Sequence, residues 1–193
     1  MSFEDIIGHN SIKNQISKSI KFDKLSHAHI LVGVDGIGKS VLAKNIGFMI
    51  LGKNEDRQYV DLLEWQIDKN KSTIGVNSIR TLIEEINKKP YEGDKKVIII
   101  YHAHKMTVQA QNAFLKTIEE PPKNVTILLL CENLEVILDT IKSRCQIHKL
   151  KNLNVDEMNE FLRKNYSDLP IDQIKIVLAF RSEEHTSELQ SQD

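Results

Sequence analysis

The stretch HILVGVDGIGKSVLAKNIGFMIL, residues 29–51, decides how this chain folds. His29–Val32 has the length and apolar character of a short strand, and the residues from Lys39 to about Leu51 sustain a helix. The turn between them is Gly33-Val34-Asp35-Gly36-Ile37-Gly38-Lys39-Ser40, which fits G-x-x-x-x-G-K-[ST] at every fixed position. Glycines in such a turn let consecutive backbone N–H groups point inward as an anion nest. The start of the following helix adds unpaired N–H groups and the positive end of its dipole. In a loop of this kind Lys39 reaches the β- and γ-phosphates of a nucleotide, and the Ser40 hydroxyl is a Mg²⁺ ligand. The plainer alternative is a glycine-rich strand-to-helix turn with no ligand.

Working outward from the loop, the chain alternates helical periods with short apolar runs. Upstream, residues 11–24 predict a helix with Ile12, Ile16 and Ile20 on one face and lysines elsewhere. Downstream, Tyr59–Glu64 predicts a weaker strand. Asn77 is the expected cap of a helix with Ile79, Leu82, Ile83 and Ile86 at i, i+3, i+4 and i+7. Val97–Tyr101 is unbroken and β-branched-rich, as befits a parallel strand covered on both faces. Thr107 caps the next helix, which runs to Glu120 and is stopped by Pro121 and Pro122. Thr126–Cys131 and Cys145–Lys149 predict two further strands. This alternation predicts an α/β P-loop fold over residues 1–150, with a parallel five-stranded sheet and helices on both faces. Val155–Lys164 and Ile171–Phe180 predict two helices of a partial helical lid domain over 151–180. Residues 181–193 are expected to be a disordered tail, and RSEEHTSELQS within it resembles the translation of a common sequencing adapter.

Composition narrows the class of protein. Of 193 residues, 40% are hydrophobic and 27% charged, enough apolar material for a buried core and too little Gly and Pro for a low-complexity chain. The longest apolar runs fall far short of a membrane span, and the N-terminus lacks a secretory pattern, so a cytoplasmic protein is expected. Net charge is −1, but residues 181–193 carry one Arg against three Glu and one Asp, which leaves +2 on residues 1–180. Lysines 88, 89, 95, 96, 149 and 151 read as a solvated face, since no aromatic residues interleave with them.

A P-loop hydrolase needs an acidic residue at the end of a neighbouring strand to hold the Mg²⁺ shell, and a second carboxylate to orient water. The strand expected to carry them ends Tyr101-His102-Ala103-His104. A neutral phenol and an imidazole cannot replace an aspartate there, so weak or absent hydrolysis is expected. Two cysteines, Cys131 and Cys145, build neither a disulfide framework nor a four-cysteine zinc module, and no zinc is expected. The pairs His27/His29 and His102/His104 each offer two imidazoles at i, i+2, and His102 is expected to approach Cys131. No third and fourth ligand is identifiable, so polar strand ends are the plainer reading.

Several motifs together carry a resemblance: Phe3-Glu-Asp-Ile-Ile-Gly8, Leu25-Ser-His-Ala28, the loop Gly33–Ser40, Lys105-Met-Thr-Val-Gln-Ala-Gln-Asn-Ala-Phe-Leu-Lys-Thr-Ile-Glu-Glu-Pro-Pro122 and Ser143-Arg-Cys145. Over residues 3 to about 165 the chain resembles the AAA+ subunits of the bacterial DNA polymerase III clamp loader. The resemblance implies an AAA+ fold, ATP or ADP with Mg²⁺ at the loop, and Arg144 offered as an arginine finger to a neighbouring subunit's ATP. It also implies motor subunits, a delta subunit, the sliding clamp and primer-template DNA as partners. Motor subunits of that family carry an acidic pair in the second motif and a four-cysteine module after the P-loop. Here Tyr101 and His102 replace the pair, and Gly52–Gln58 has no cysteine, which favours the delta-prime type. An active motor subunit is the competing expectation. A small-molecule P-loop kinase is a third, weakened by the scatter of Arg57, Arg80, Arg144 and Arg163.

Overall fold

The computed structural model describes residues 3–53, 57–67 and 71–166. Five strands, β1 (Ala28–Val32), β2 (Leu62–Trp65), β3 (Lys96–Ile100), β4 (Val125–Cys131) and β5 (Gln146–Lys149), form one sheet in the order β2-β3-β4-β1-β5. Every pairing is parallel, with Ile30 beside Leu129 and Ile147, and Ile98 beside Ile127 and Leu63. Parallel strands need crossover helices, and these cover both faces. The alternation of side chains decides which residue goes where. Ile30, Ile98, Ile100, Ile127 and Leu129 face α3 (Val76–Asn87) and α4 (Val108–Glu119), which contribute Ile79, Leu82, Ile86, Phe114 and Ile118. Leu31, Val97, Ile99, Leu128 and Leu130 face α1 (Asn10–Lys21) and α2 (Lys39–Leu51), which contribute Ile12, Ile16, Leu42 and Ile46. The expected five-stranded parallel sheet with helices on both faces is the observed one.

Two expectations are corrected. Asn77 does not cap α3: the helix begins at Val76, and Gly75 in extended conformation is its cap. The cause lies just upstream, where buried Ile74 is pinned to the chain after β3 through Ile74 N–H to Lys105 O (2.8 Å) and Thr107 N–H to Ile74 O (3.0 Å). The strand expected at Tyr59–Glu64 starts later, at Leu62, because Tyr59 and Leu62 close a turn that precedes it. A short helix, α5 (Asp139–Lys142), was not expected, and its apolar content is slight apart from buried Ile141. Thr107 caps α4 as expected, its side chain accepting from Ala110 N–H at 3.2 Å.

The segment before α5 is held by Gln111. Buried at 1% exposure, its amide donates to Met106 O (3.2 Å) and Val136 O (2.9 Å), and its carbonyl accepts from Leu138 N–H (2.8 Å). Gln111→Ala leaves these backbone groups without their partner and is expected to lower unfolding stability by about 2 kcal/mol, read as a reduced urea midpoint.

The described residues divide into two compact units. One holds residues 3–6 and 10–151, with the whole sheet; the other holds residues 7–9 together with 152–166. In the second unit α6 (Val155–Asn165) opens with a capping box: Glu157 N–H donates to the Asn154 side chain (2.8 Å), and Asn154 N–H donates to the Glu157 carboxylate (2.9 Å). Gly8 has φ +77°, and a Cβ there would stand 2.3 Å from Leu153 Cδ2, which is why the Ile-Gly of the N-terminal motif tolerates no side chain. The helix expected over 171–180 and the tail 181–193 lie outside the described residues.

Candidate functional site

The glycine loop leaves the C-terminal end of β1 and enters α2. Gly36 (φ +74°) and Gly38 (φ +99°) lie in the left-handed region, so the motif needs glycine at both for backbone conformation; a Cβ would find open space at either. Gly33 is needed for closeness: its Cβ would lie 3.0 Å from Ile37 Cγ2 and 3.2 Å from Leu150 Cβ. Val34, Asp35, Gly36 and Ser40 are exposed, Ile37 half-buried against the α1/α2 side of the core. No side chain caps α2, so its first N–H groups are offered to whatever sits in the loop. Lys39 is 9% exposed and curls back into the loop, donating to Gly33 O (2.8 Å) and Val34 O (2.7 Å). Left-handed glycines, uncapped helix start and inward ammonium together fit nucleotide phosphates.

The end of β3 is different from what a hydrolase requires. The Tyr101 hydroxyl donates to Glu64 Oε2 at 2.5 Å, and Lys44 pairs with Glu64 Oε1 at 3.1 Å. Burial, then the Glu64 carboxylate, pushes the Tyr101 phenol well above its ordinary pKa, so it stays neutral. His102 takes a left-handed conformation (φ +51°) and faces Glu132, with Nδ1 3.4 Å from Oε1. His104 Nε2 lies 3.7 Å from the same oxygen, and Glu132 N–H donates to His104 Nδ1 at 3.2 Å. Glu64 and Glu132, two carboxylates at this end of the sheet, are thus engaged by neighbouring side chains. A hydrated Mg²⁺ would find the Ser40 hydroxyl on α2, and a phenol and an imidazole where the second motif is expected to be acidic.

The ligand-type residue that gathers with His102 and His104 is Glu132 rather than Cys131. The Cys131 Sγ instead donates to Asn133 O at 2.9 Å, and burial pushes the thiol up to about 11. Glu132, one residue on, meets the histidines. Cys145 is half-buried, and desolvation pushes its thiol up to about 12, so neither cysteine offers a thiolate near neutral pH. The pair His27/His29 does not converge on a shared ligand site. His27 Nε2 pairs with Ile118 O (2.8 Å), while His29 Nε2 pairs with Ser26 O (2.9 Å) and His29 Nδ1 with His148 Nε2 (3.0 Å).

Arg144 follows α5 and precedes β5, at the opposite end of the sheet from the glycine loop. Ser143 caps α5, half-buried Cys145 packs on the core, and Arg144 between them is directed outward. Its guanidinium pairs with Glu119 Oε1 at 2.8 Å and donates to Thr140 O at 2.9 Å. The lysine face is thinner than its sequence suggests. Lys96 is 3% exposed and donates to Glu85 O and Lys88 O, satisfying carbonyls at the end of α3, and Lys88 pairs with Glu85.

A parallel sheet whose first strand runs through such a loop into a helix is a P-loop fold, and the order β2-β3-β4-β1-β5 is its AAA+ form. Two solved proteins of Thermotoga maritima share it: a DNA polymerase III gamma subunit-related protein (TM-score 0.60, 26% identity, 80% of this chain and 51% of that one) and the Holliday junction branch migration motor RuvB (TM-score 0.63, 17% identity, 86% and 53%). The family model described as "DNA polymerase III, delta subunit" matches residues 8–154, and the chain belongs to that family. Among curated relatives it is 32% identical over 173 residues to DNA polymerase III subunit gamma of Buchnera aphidicola subsp. Baizongia pistaciae. It is 34% identical over 175 residues to subunit gamma/tau of Mycoplasma pneumoniae. These alignments cover 81% and 83% of this chain but only 46% and 25% of the relatives, so the chain spans about half or less of their length. The clamp-loader resemblance stands. The delta-prime type is not what these relatives are named; they are gamma and gamma/tau subunits.

Proposed function

We propose that this chain is a nucleotide-holding subunit of the bacterial replicative clamp loader, acting in DNA replication. It binds ATP or ADP at Gly33–Ser40, with Ser40 serving Mg²⁺, hydrolyses poorly, and offers Arg144 in trans to the ATP of a neighbouring motor subunit. The observation that carries this reading is Tyr101, whose hydroxyl is committed to Glu64 where a hydrolase places a metal-holding carboxylate. In this reading Lys39 neutralises the terminal phosphates, the loop glycines cradle them, and residues from about 152 onward begin the family's helical lid. Motor and delta subunits, the sliding clamp and primer-template DNA are the partners, which implies a cytoplasmic site of action. Among the described residues no helix is long and apolar enough to cross a membrane.

Within the family this is the delta-prime type of role. The gamma and gamma/tau names of the relatives favour the motor type, in which the same loop turns over ATP. The two readings part on one experiment: Mg-ATP binding and steady-state turnover measured on the same sample, with Lys39→Ala as control. Binding without turnover is expected, and Lys39→Ala is expected to weaken binding about tenfold to a hundredfold through loss of its charge-assisted contacts. Turnover that disappears in Lys39→Ala would hand the assignment to the motor type.

A further inference from the structure

We propose that His102, His104 and Glu132 form a binding site for a divalent transition-metal ion, with zinc as the best fit. The site lies at the tips of two adjacent strands. Parallel pairing of β3 and β4 sets Ile100 beside Leu129, so the residues that follow each strand emerge side by side. The left-handed turn at His102 and the single 3₁₀ turn Ala103–Lys105 bring two imidazoles from i, i+2 toward one carboxylate. The three donor atoms lie within 4.8 Å of one another.

These distances are close to what a metal requires. With metal–ligand bonds of about 2.0–2.1 Å, tetrahedral donors stand roughly 3.3–3.5 Å apart. His102 Nδ1 to Glu132 Oε1 is already 3.4 Å, His104 Nε2 to the same oxygen is a few tenths of an ångström long at 3.7 Å, and the two imidazole donors lie within 4.8 Å of each other. His102 and Glu132 are partly exposed and free to make that adjustment, while His104 is largely enclosed and anchors the set. Two nitrogens and one carboxylate oxygen select zinc, cobalt or nickel over Mg²⁺, which prefers six oxygens. Three protein ligands leave a fourth position for water. Neither cysteine joins, since the Cys131 sulfur is turned to Asn133 O.

Two features oppose the metal. Glu132 N–H donates to His104 Nδ1, which places the neutral ring's proton on Nε2, facing the carboxylate. A metal entering at Nε2 displaces that proton; Nδ1 takes one up, and the Glu132 amide must turn to water. Lys39 and Lys105 also lie near enough to His104 to oppose positive charge there.

The test is a titration of the 193-residue chain with Co²⁺, followed by competition with Zn²⁺ in a large excess of Mg²⁺. One equivalent of Co²⁺ is expected to give the intense visible bands of a four-coordinate ion without sulfur charge transfer, and Zn²⁺ to remove them while Mg²⁺ does not. His104→Ala and Glu132→Gln are each expected to weaken binding at least about a hundredfold. His102→Gln, at a partly exposed turn, provides a second variant, and circular dichroism verifies the fold of each. Stoichiometric Zn²⁺ is also expected to raise the melting temperature of the unaltered chain and not that of the variants. Absence of stoichiometric binding, equal affinity in the variants, or a sulfur charge-transfer band lost in Cys131→Ser would each overturn the assignment.

Discussion

Arg144→Ala is expected to slow ATP hydrolysis on the adjoining motor subunit of an assembled ring by about 10³-fold or more, while the ring still forms. The argument begins with the sheet. Because all five strands run the same way, the glycine loop after β1 and the segment before β5 lie at opposite ends of it. Four register pairs, His29–Gln146 to Val32–Lys149, separate them along the strands, about 10 Å before the loops are added. Arg144 therefore cannot serve the phosphates bound beside Lys39 on its own chain. A guanidinium against a γ-phosphate stabilises charge that spreads in the transition state, and the planar fork matters as well as the charge. Arg144→Lys is accordingly expected to restore little. Glu119, 2.8 Å away, holds the guanidinium until a stronger anion competes for it. Steady-state turnover of the reconstituted ring, beside a gel-filtration check of assembly, reads the effect. Undiminished turnover would remove Arg144 from the mechanism.

Acidification is expected to destabilise the fold by about 3 kcal/mol between pH 6.5 and pH 4 through His29 alone. His29 and His148 stack at 5.3 Å in the interior, 1% and 3% exposed. A carbonyl can only accept, so Ser26 O fixes the His29 proton on Nε2. Nδ1 is then an acceptor for His148 Nε2–H at 3.0 Å. Both rings are held neutral. Burial, followed by the neighbouring His148, lowers the His29 pKa to about 4, and burial lowers that of His148. The unfolded chain takes up protons near pH 6.5 that the folded pair refuses. The stability is fully present above 6.5 and is lost as pH falls toward 4. Urea midpoints across that range measure the slope, which should shrink when both histidines are replaced by leucine. A midpoint unchanged between pH 7 and 4.5 would contradict the neutral pair.

The strands and the loop were legible because their signals are local. A β-branched run such as Val97–Ile100, a capping threonine at 107 and the fixed glycines of the loop each act within a few residues of themselves. What the sequence hides are contacts fixed by strand register. The Glu64–Tyr101 bond spans 37 residues and the His29–His148 bond 119; neither leaves a periodic trace. Alternation along β4 tells which residue ends the strand, not which way Glu132 after it turns, so its meeting with the two histidines leaves no sequence signal. Lys96 looked like a member of a basic face, yet its stem lies in the core and its ammonium ends on the α3 carbonyls. Asn77 had the right chemistry for a cap and the wrong position, since the anchoring of Ile74 set where the helix could begin.

The opposite placement of Lys39 and Arg144 has a consequence for any assembly built with every copy facing the same way. Each module then gives at one end and receives at the other, so the contact is heterologous and the series has a direction. A series that does not close on itself has two unlike ends: one nucleotide with no donor, and one arginine with no nucleotide to serve. A module whose own loop binds without hydrolysing loses least by standing where its nucleotide lacks a donor, and still contributes its arginine to the next. In that arrangement the order of subunits follows from the polarity of a single parallel sheet.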